Sequence, residues 1–516
     1  MGRLLRRISV PWSLSPVLTE RVKTKAPIPK PLSTLETKTV RNISCIGVSQ
    51  ATSLLLSIVT VTILARVLVP EDFGIVSIGF LFMALFVSIQ DFGVGNAVVQ
   101  RDTRIEESIS VMLFLRWIIA VVLFFAIVAF SPMLSDFYGN PAIMPVIIVM
   151  SLSLFIQPIA FSSSVMLVRK LEFSKIAMAA IVSSAGTTVV SISLAFLNFS
   201  YWSIVLGSLS GTVLSVFAMR YFERTRLRPR IDKKLMRELL GFGAHLLING
   251  LMVFVIFSVD QLVVGKVLGL TTLGVYYISV KFGRVLGQQI SGTVNAVLFP
   301  TMARIKDSME RLKLGYVQSL RMIAIVVAPL SLGLSALSPL FVNVLLGDRW
   351  NAAAVPIAII AFQGLLFALI TPAANVLISI GKPKYMSIEA TSVATALVVA
   401  IYPVTSIFGI NGVCVLTTSL SLGALIFYIT VLSRVFKQRL IDTVRPMAPP
   451  LLSGFVAYAV LMLCVMFVPT SAFWLGVLSL TGAAIYVVVL HFTSKQRDVR
   501  DLLGLFTKSF LGRQTN

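Results

Sequence analysis

Apolar residues fill the chain in blocks close to the roughly 20 residues that a helix needs to cross a bilayer, with short polar connections between them. Fourteen such blocks are readable, with cores at 43–65, 73–97, 108–130, 142–167, 176–197, 201–219, 240–264, 272–298, 322–346, 353–380, 386–407, 411–433, 448–468 and 472–492. Backbone groups in hydrocarbon must be satisfied internally, so blocks of this length are read as helices. The pattern predicts an all-α polytopic membrane protein. Pro145, Pro158, Pro329, Pro356, Pro372 and Pro403 fall within or near spans, where neighbouring helices or water can satisfy the carbonyls they free.

The eighth block departs from the pattern. In YYISVKFGRVLGQQISGTVN, Tyr276 to Asn295, the polar positions Tyr277, Lys281, Arg284, Gln288, Ser291 and Asn295 step by four, three, four, three and four. That spacing aligns them on one helical face. The face carries two cations and no acid, in a region that is otherwise apolar.

Composition supports the membrane reading. Of 516 residues, 57% are hydrophobic and 13% charged, with a mean hydropathy of +0.93, against about 25% charged in ordinary soluble domains. The net charge of +23 would suggest a nucleic-acid partner in a soluble chain, but its placement points elsewhere. With the N-terminus in the cytoplasm, 38 of the 44 Lys and Arg residues fall in cytoplasmic segments, three (Arg66, Lys266, Arg349) in outer connections and three (Arg116, Lys281, Arg284) within spans. By the positive-inside rule both termini are cytoplasmic, and no nucleic-acid partner is needed. Cys45, Cys414 and Cys464 are isolated in apolar runs, and His245 and His491 lie far apart. Neither a disulfide nor a metal site is predicted. The short connections leave no room for a soluble catalytic domain.

The chain also repeats itself. LARVLVPEDFGIVSIGFLF, from Leu64, and VGKVLGLTTLGVYYISVKF, from Val264, match at a constant offset of 200: Val67, Leu68, Gly74, Ile78 and Phe82 correspond to Val267, Leu268, Gly274, Ile278 and Phe282. Six spans per repeat is an even number, so both copies face the same way. The predicted architecture is a disordered basic cytoplasmic tail (1–39), an N-lobe of spans one to six (40–230), a C-lobe of spans seven to twelve (231–440), two further helices (441–494) and a cytoplasmic tail (495–516). The lobes are related by a pseudo-two-fold along the membrane normal, with a cavity between them. Alternating access around that cavity follows.

A charge at the bilayer centre costs at least about 2.5–3.5 kcal/mol, so each one needs a reason. Distances along the chain from the nearest turn place Asp260 and Lys281 at similar depth, and likewise Asp91 and Arg116. Two ion pairs are therefore expected, each either structural or acting in coupling or gating. Arg284 finds no acid at its depth, which points to a wet cavity or an anionic ligand. Arg284, Lys281, Arg116, Tyr277, Gln288, Asn295 and Asn249 are the candidate substrate-binding residues. Amides, hydroxyls and aromatic rings suit sugars; guanidinium and ammonium groups suit phosphate. No catalytic residue and no cofactor is assigned, and proton, sodium or membrane-potential coupling is left open.

ILARVLVPEDFGIVSI at Ile63–Ile78, DFGVGNAVVQR at Asp91–Arg101 and LLGDRWNAAAVPIAIIAFQGLLF at Leu345–Phe367 resemble the polysaccharide transport family of bacterial lipid-linked oligosaccharide flippases. These are Wzx-type members of the multidrug/oligosaccharidyl-lipid/polysaccharide exporter superfamily. The resemblance spans residues 40–490 and implies an inner-membrane protein that turns polyisoprenyl-diphosphate-linked repeat units to the periplasmic face for exopolysaccharide, capsule or O-antigen (lipopolysaccharide) synthesis. Implied partners are the lipid-linked oligosaccharide, membrane lipids, a polymerase and a chain-length regulator. The alternatives are a drug or cation antiporter of the same superfamily, which needs an acidic cavity, and a membrane-embedded polyprenyl-linked glycosyltransferase or ligase. The enzyme needs outer-face carboxylates, of which Glu71, Asp72, Asp136 and Asp348 are the candidates.

The topology is directly testable. In a cysteine-free background, Lys266→Cys and Arg349→Cys are expected to react with a membrane-impermeant thiol reagent on intact cells, whereas Lys382→Cys reacts only after permeabilisation. The opposite pattern overturns the assigned orientation.

Overall fold

Helices account for nearly all the structure, a computed structural model that describes residues 32–91, 104–225, 229–304 and 308–494. No β-strand occurs among the described residues. The helices are α1 (Leu32–Val67), α2 (Pro70–Asp91), α3 (Ile105–Tyr138), α4 (Ile143–Ser151), α5 (Ser153–Arg169), α6 (Phe173–Phe196), α7 (Trp202–Phe222), α8 (Lys233–Arg304), α9 (Met309–Phe341), α10 (Ala354–Ser379), α11 (Lys384–Val435), α12 (Ala448–Val465) and α13 (Ala472–Thr493). α1 begins at Leu32, within the stretch that composition assigns to the N-terminal tail. Residues from Asn42 onward form one compact unit.

Among the described residues, twelve helical stretches are long and apolar enough to span a bilayer. Two of them are double. α8 breaks at Gly269 (φ 84°, ψ 169°) and α11 at Gly409 (φ 61°, ψ −153°), backbone conformations that only glycine adopts without strain. Each break reverses the chain, so counting both arms separately gives the fourteen spans expected from the sequence. The connections between spans alternate between a basic end and an end nearly free of cations, here called the neutral end.

The two repeat copies meet at the neutral end, where α2 lies against the second arm of α8. Contact there is backbone on backbone. A methyl group on Gly74 would sit 1.9 Å from the Leu270 carbonyl oxygen, and one on Gly274 would sit 1.8 Å from that of Pro70. Both pairs obey the offset of 200, so the contact is reciprocal, as a two-fold passing between the two glycines requires.

Side chains extend the same reciprocity. Arg66 donates Nε to the Leu345 carbonyl at 3.1 Å and Nη2 to that of Val344, just beyond the end of α9. Lys266, its counterpart in the repeat, donates to the Phe137 carbonyl near the end of α3 at 2.5 Å and lies 4.4 Å above the Phe137 ring. Each cation thus crosses to the other half and caps the negative end of a helix dipole. Trp350, fully buried, adds an Nε1 hydrogen bond to the Ala65 carbonyl at 2.8 Å and an edge-on contact with Phe73. The motifs around Leu64 and Leu345 therefore dock on one another.

α12 and α13 pack against α9, outside the repeat. Tyr486 reaches across to the Ile325 carbonyl at 2.9 Å.

Gly74→Ala and Gly274→Ala each insert a methyl where two backbones touch, so each is expected to loosen the neutral end. In a cysteine-free background, a cysteine at Tyr277 then reacts several-fold faster with an impermeant thiol reagent. Unchanged rates would mean that the contact does not seal this end.

Candidate functional site

The polar stripe of the second α8 arm faces a cavity, as its spacing predicts. Tyr277, Lys281, Arg284 and Gln288 line a space of about 320 Å³ together with Phe257 and Gln261 of the first arm. Ser291 does not join them; its hydroxyl is buried against the Gly287 carbonyl of its own helix. The side chains of Asn249 and Asn295 lie outside the described residues, as does the DFGVGNAVVQR motif beyond Asp91.

Arg284 is positioned by α10. Gly287 and Gly364 let the two backbones approach so closely that a methyl on Gly287 would fall 2.1 Å from the Gly364 carbonyl oxygen. That approach brings Gln363 to Arg284, whose Nε donates to Gln363 Oε1 at 2.8 Å. Gln363 in turn donates to Ser421 Oγ at 3.1 Å, which fixes the amide orientation and, through it, the guanidinium.

Two sequence expectations are corrected here. Arg284 does have an acid, and Asp260 is not paired with Lys281. Arg284 Nη2 stands 3.7 Å from Asp260 Oδ2, an ion pair too long for a hydrogen bond. Matching depth by residue count failed for a geometric reason. Asp260 precedes the Gly269 turn by 9 residues and Arg284 follows it by 15, a stagger of 6 residues or about 9 Å along the helix. Side chains on a helix lean toward its N-terminus. In antiparallel arms that lean carries Asp260 away from the turn and Arg284 back toward it, so the two converge. Asp260 also accepts the Tyr276 hydroxyl at 2.6 Å and the Gln261 N–H at 2.8 Å. Tyr276, fully buried, thus supports the acid rather than lining the cavity.

Lys281 is left without a carboxylate within ion-pair distance among the described residues. Its ammonium lies 5.8 Å from the centre of the Tyr277 ring, and both side chains form one wall of a second cavity of about 210 Å³. Nine serine and threonine residues, from α1 (Ser53, Ser57, Thr60), α6 and α7, line it together with apolar residues of α1, α2 and α7. Sequence reasoning missed this compartment. The signal was present in the helical spacing of Ser183, Thr187 and Ser191, of Ser184 and Thr188, and of Ser53, Ser57 and Thr60.

Two further cavities flank these. On the C-terminal side, Arg284 and Gln363 head a space of about 520 Å³ whose lining is mostly apolar, including Phe257, Phe367, Ile370 and Leu420. Tyr428 and Glu389 are polar exceptions, joined by a 3.2 Å hydrogen bond. On the N-terminal side, a cavity of about 540 Å³ holds Asp91 and Arg116. The ion pair expected between them is present through Arg116 Nη2. The Arg116 guanidinium also lies 4.1 Å from the Phe161 ring centre, and its Nε is buried without a partner. Neighbouring cavities share lining residues: Arg284 and Phe257, then Tyr277 and Lys281, then Ser183. The three intramembrane cations therefore stand along one row of spaces that passes from apolar to charged to hydroxyl-rich and ends at the Asp91–Arg116 pair.

Three of the four acids proposed for an enzyme, Asp72, Glu71 and Asp348, are used locally. Asp72 accepts the Val69 N–H at 3.1 Å and the Ser200 hydroxyl. Glu71 accepts from Asn140 at 3.1 Å and Asp348 from Asn343 at 2.6 Å. Among the described residues, no cluster of His, Cys, Asp or Glu is suited to a metal ion.

Comparison with known proteins agrees with this architecture. Lipopolysaccharide biosynthesis protein WzxC of Escherichia coli (strain K12) is 25% identical over 354 residues, covering 67% of this chain and 70% of that protein. Succinoglycan biosynthesis transport protein ExoT of Rhizobium meliloti (strain 1021) is 27% identical over 340 residues, covering 64% and 68%. Among solved structures, lipid II flippase MurJ in its inward closed conformation superposes with a TM-score of 0.72 at 14% identity, over 89% of this chain and 99% of that one. The profile of the family described as "Polysaccharide biosynthesis protein" matches residues 63–355, more than half of the sequence, and the chain belongs to that family.

Proposed function

We propose that this multi-pass membrane protein is a flippase of the bacterial inner membrane. It carries polyisoprenyl-diphosphate-linked oligosaccharide repeat units from the cytoplasmic to the periplasmic face, for polymerisation into exopolysaccharide, capsule or O-antigen. The names of WzxC and ExoT support the polysaccharide context.

The observation that carries the reading is the state of Arg284. Its guanidinium is oriented by one amide, balanced by an acid that it does not hydrogen-bond, and in contact with two cavities of different chemistry. A diphosphate offers the planar acceptor geometry that guanidinium matches, at charge-assisted strength. It competes with Asp260 for Arg284 on favourable terms, because Asp260 keeps its bonds from Tyr276 and Gln261 when the arginine turns away. The carboxylate left behind keeps two hydrogen bonds, which reduces the usual penalty for breaking a buried pair.

In this reading Lys281 supplies a second charge to the diphosphate, and Tyr277, Gln288, Asn249 and Asn295 contact sugar. Asp91–Arg116 acts as a gating pair in the N-lobe. The neutral end is the periplasmic end, and the two lobes, with boundaries near residues 40, 230 and 440, alternate around the row of cavities. An inside-negative potential favours outward movement of the anionic head group by about 2.3 kcal/mol per charge per 100 mV. A polymerase and a chain-length regulator use the product. A drug or cation antiporter would need an acidic chamber, and this one is lined by cations.

Two substitutions test the exchange at Arg284. Arg284→Gln at matched expression is expected to lower polymer export at least tenfold, the scale of losing one charge-assisted hydrogen bond of about 1.5–3 kcal/mol. Asp260→Asn removes the competitor and is expected to tighten binding of a polyisoprenyl diphosphate to the purified protein, while Arg284→Gln weakens it. Normal export by Arg284→Gln would remove the anchor from the proposal.

A further inference from the structure

Taking the flippase reading as given, we infer that the hydroxyl-lined cavity between α1, α2, α6, α7 and the second α8 arm is a subsite for one sugar residue, the one attached to the diphosphate. Its size fits a single ring. At about 210 Å³ it is smaller than the roughly 300–1,000 Å³ of pockets that enclose drug-sized ligands.

The lining matches a sugar in both of its characters. Hydroxyl groups that donate and accept face a ligand whose own hydroxyls do the same. Ser53 Oγ is buried with no hydrogen-bond partner, and the hydroxyls of Ser57 and Ser184 make no side-chain bond among the described residues. Thr60 and Thr188, by contrast, bond each other at 2.7 Å and brace α1 against α6. Phe80 and Tyr277 also line the cavity, their rings nearly parallel at 11° with centroids 6.3 Å apart, and offer faces for the C–H side of a pyranose.

Position fixes the orientation of the ligand. Lys281 and Tyr277 stand in both this cavity and the one that contains Arg284, so a diphosphate on Arg284 and Lys281 has its sugar-bearing oxygen directed into the hydroxyls. The compartment on the other side of Arg284 also has polar side chains, Ser387, Glu389, Thr417, Ser421 and Tyr428, but its lining is predominantly apolar, whereas hydroxyl-bearing residues are the majority in the cavity beside Lys281. Over the first three spaces of the row, the order of chemistries is the order along the substrate.

The test compares two ligands on purified full-length protein: a polyisoprenyl diphosphate carrying one hexose or N-acetylhexosamine, and the same diphosphate without sugar. The triple variant Ser53→Ala, Ser57→Ala, Ser184→Ala is expected to bind the glycosylated carrier about tenfold more weakly, since a site built to hydrogen-bond hydroxyls discriminates through them, and to bind the sugar-free carrier as the wild type does. Arg284→Gln weakens both. These serines hold no part of the fold together, and a thermal midpoint equal to the wild type's verifies that; should the triple variant melt early, the three single variants replace it. If the triple variant loses nothing, or loses both ligands equally, the subsite is refuted while the flippase reading stands. If the wild type binds neither carrier, the flippase reading fails, and the subsite with it.

Discussion

Two main chains touch at Gly74 and Gly274, and the arrangement behind them depends on that contact. Because no side chain intervenes, α2 and the second α8 arm close the neutral end at backbone distance, and the cavities lie behind the closure rather than beside it. The seal combines polar and apolar contacts. A glycine pair, two cations capping helix ends and Trp350 stand among buried apolar clusters that join the halves, Leu68 and Phe73 with Val275 and Ile278, and Ile75 and Ile78 with Leu270 and Leu273. An interface of this kind has discrete geometry and can separate as a unit, as lobe movements in two-state transporters require.

The intramembrane charges follow a second constraint. An ion in low dielectric is tolerated only when protein replaces its water, and each one here is handled differently. Asp260 has a tyrosine, a backbone amide and a distant arginine. Arg116 has a carboxylate and an aromatic face. Lys281 has an aromatic ring at the edge of a space that hydroxyls line. The best-satisfied group is the acid and the least satisfied is the lysine, and around Asp260 the two cations Arg284 and Lys281 outnumber the one acid. That excess of positive charge is what the proposed anion-carrying role rests on.

Much of this was legible in the sequence. Fourteen apolar blocks, a repeat at offset 200 and a polar stripe at helical spacing gave the helices, the pseudo-symmetry and the lining from Tyr277 to Gln288. Pairing was harder to read. Residue counts gave depth without the lean of side chains, so Asp260 was matched to Lys281 when Arg284 was the partner. Long-range partners such as Gln363 have no local signature; that residue reads as one amide in an apolar helix until α10 is docked on α8. The hydroxyl cavity was missed for a related reason. Serine and threonine in membrane helices commonly bond their own preceding carbonyls, and only the assembly distinguishes Thr188, which does so, from Ser57, which faces open space. The motifs that carry the family resemblance serve mainly the fold: Ala65, Arg66, Phe73, Leu345 and Trp350 build the seal, while Gln363, Gly364 and Phe367 of the Leu345 motif, with Leu64, Phe73 and Val76 of the first, reach the cavities.

Seal and site are carried on the same rods. The second α8 arm holds Gly274 at the seal and Tyr277, Lys281 and Arg284 within ten residues of it, about 15 Å of helix. On the other side, α2 holds Gly74 at the seal and Phe73, Val76 and Phe80 in the hydroxyl cavity. That cavity therefore has one wall in each half. Separating Gly74 from Gly274 draws Lys281 and Tyr277 away from the serines and threonines of α1, α6 and α7, and the space that fits one ring ceases to exist. A ligand held by both walls stabilises the closed seal, and opening the seal weakens its grip, the reciprocity that linkage demands of two coupled equilibria. For the proposed flippase, release on the neutral side would then need no separate trigger, because the movement that opens the path is the one that dismantles the site.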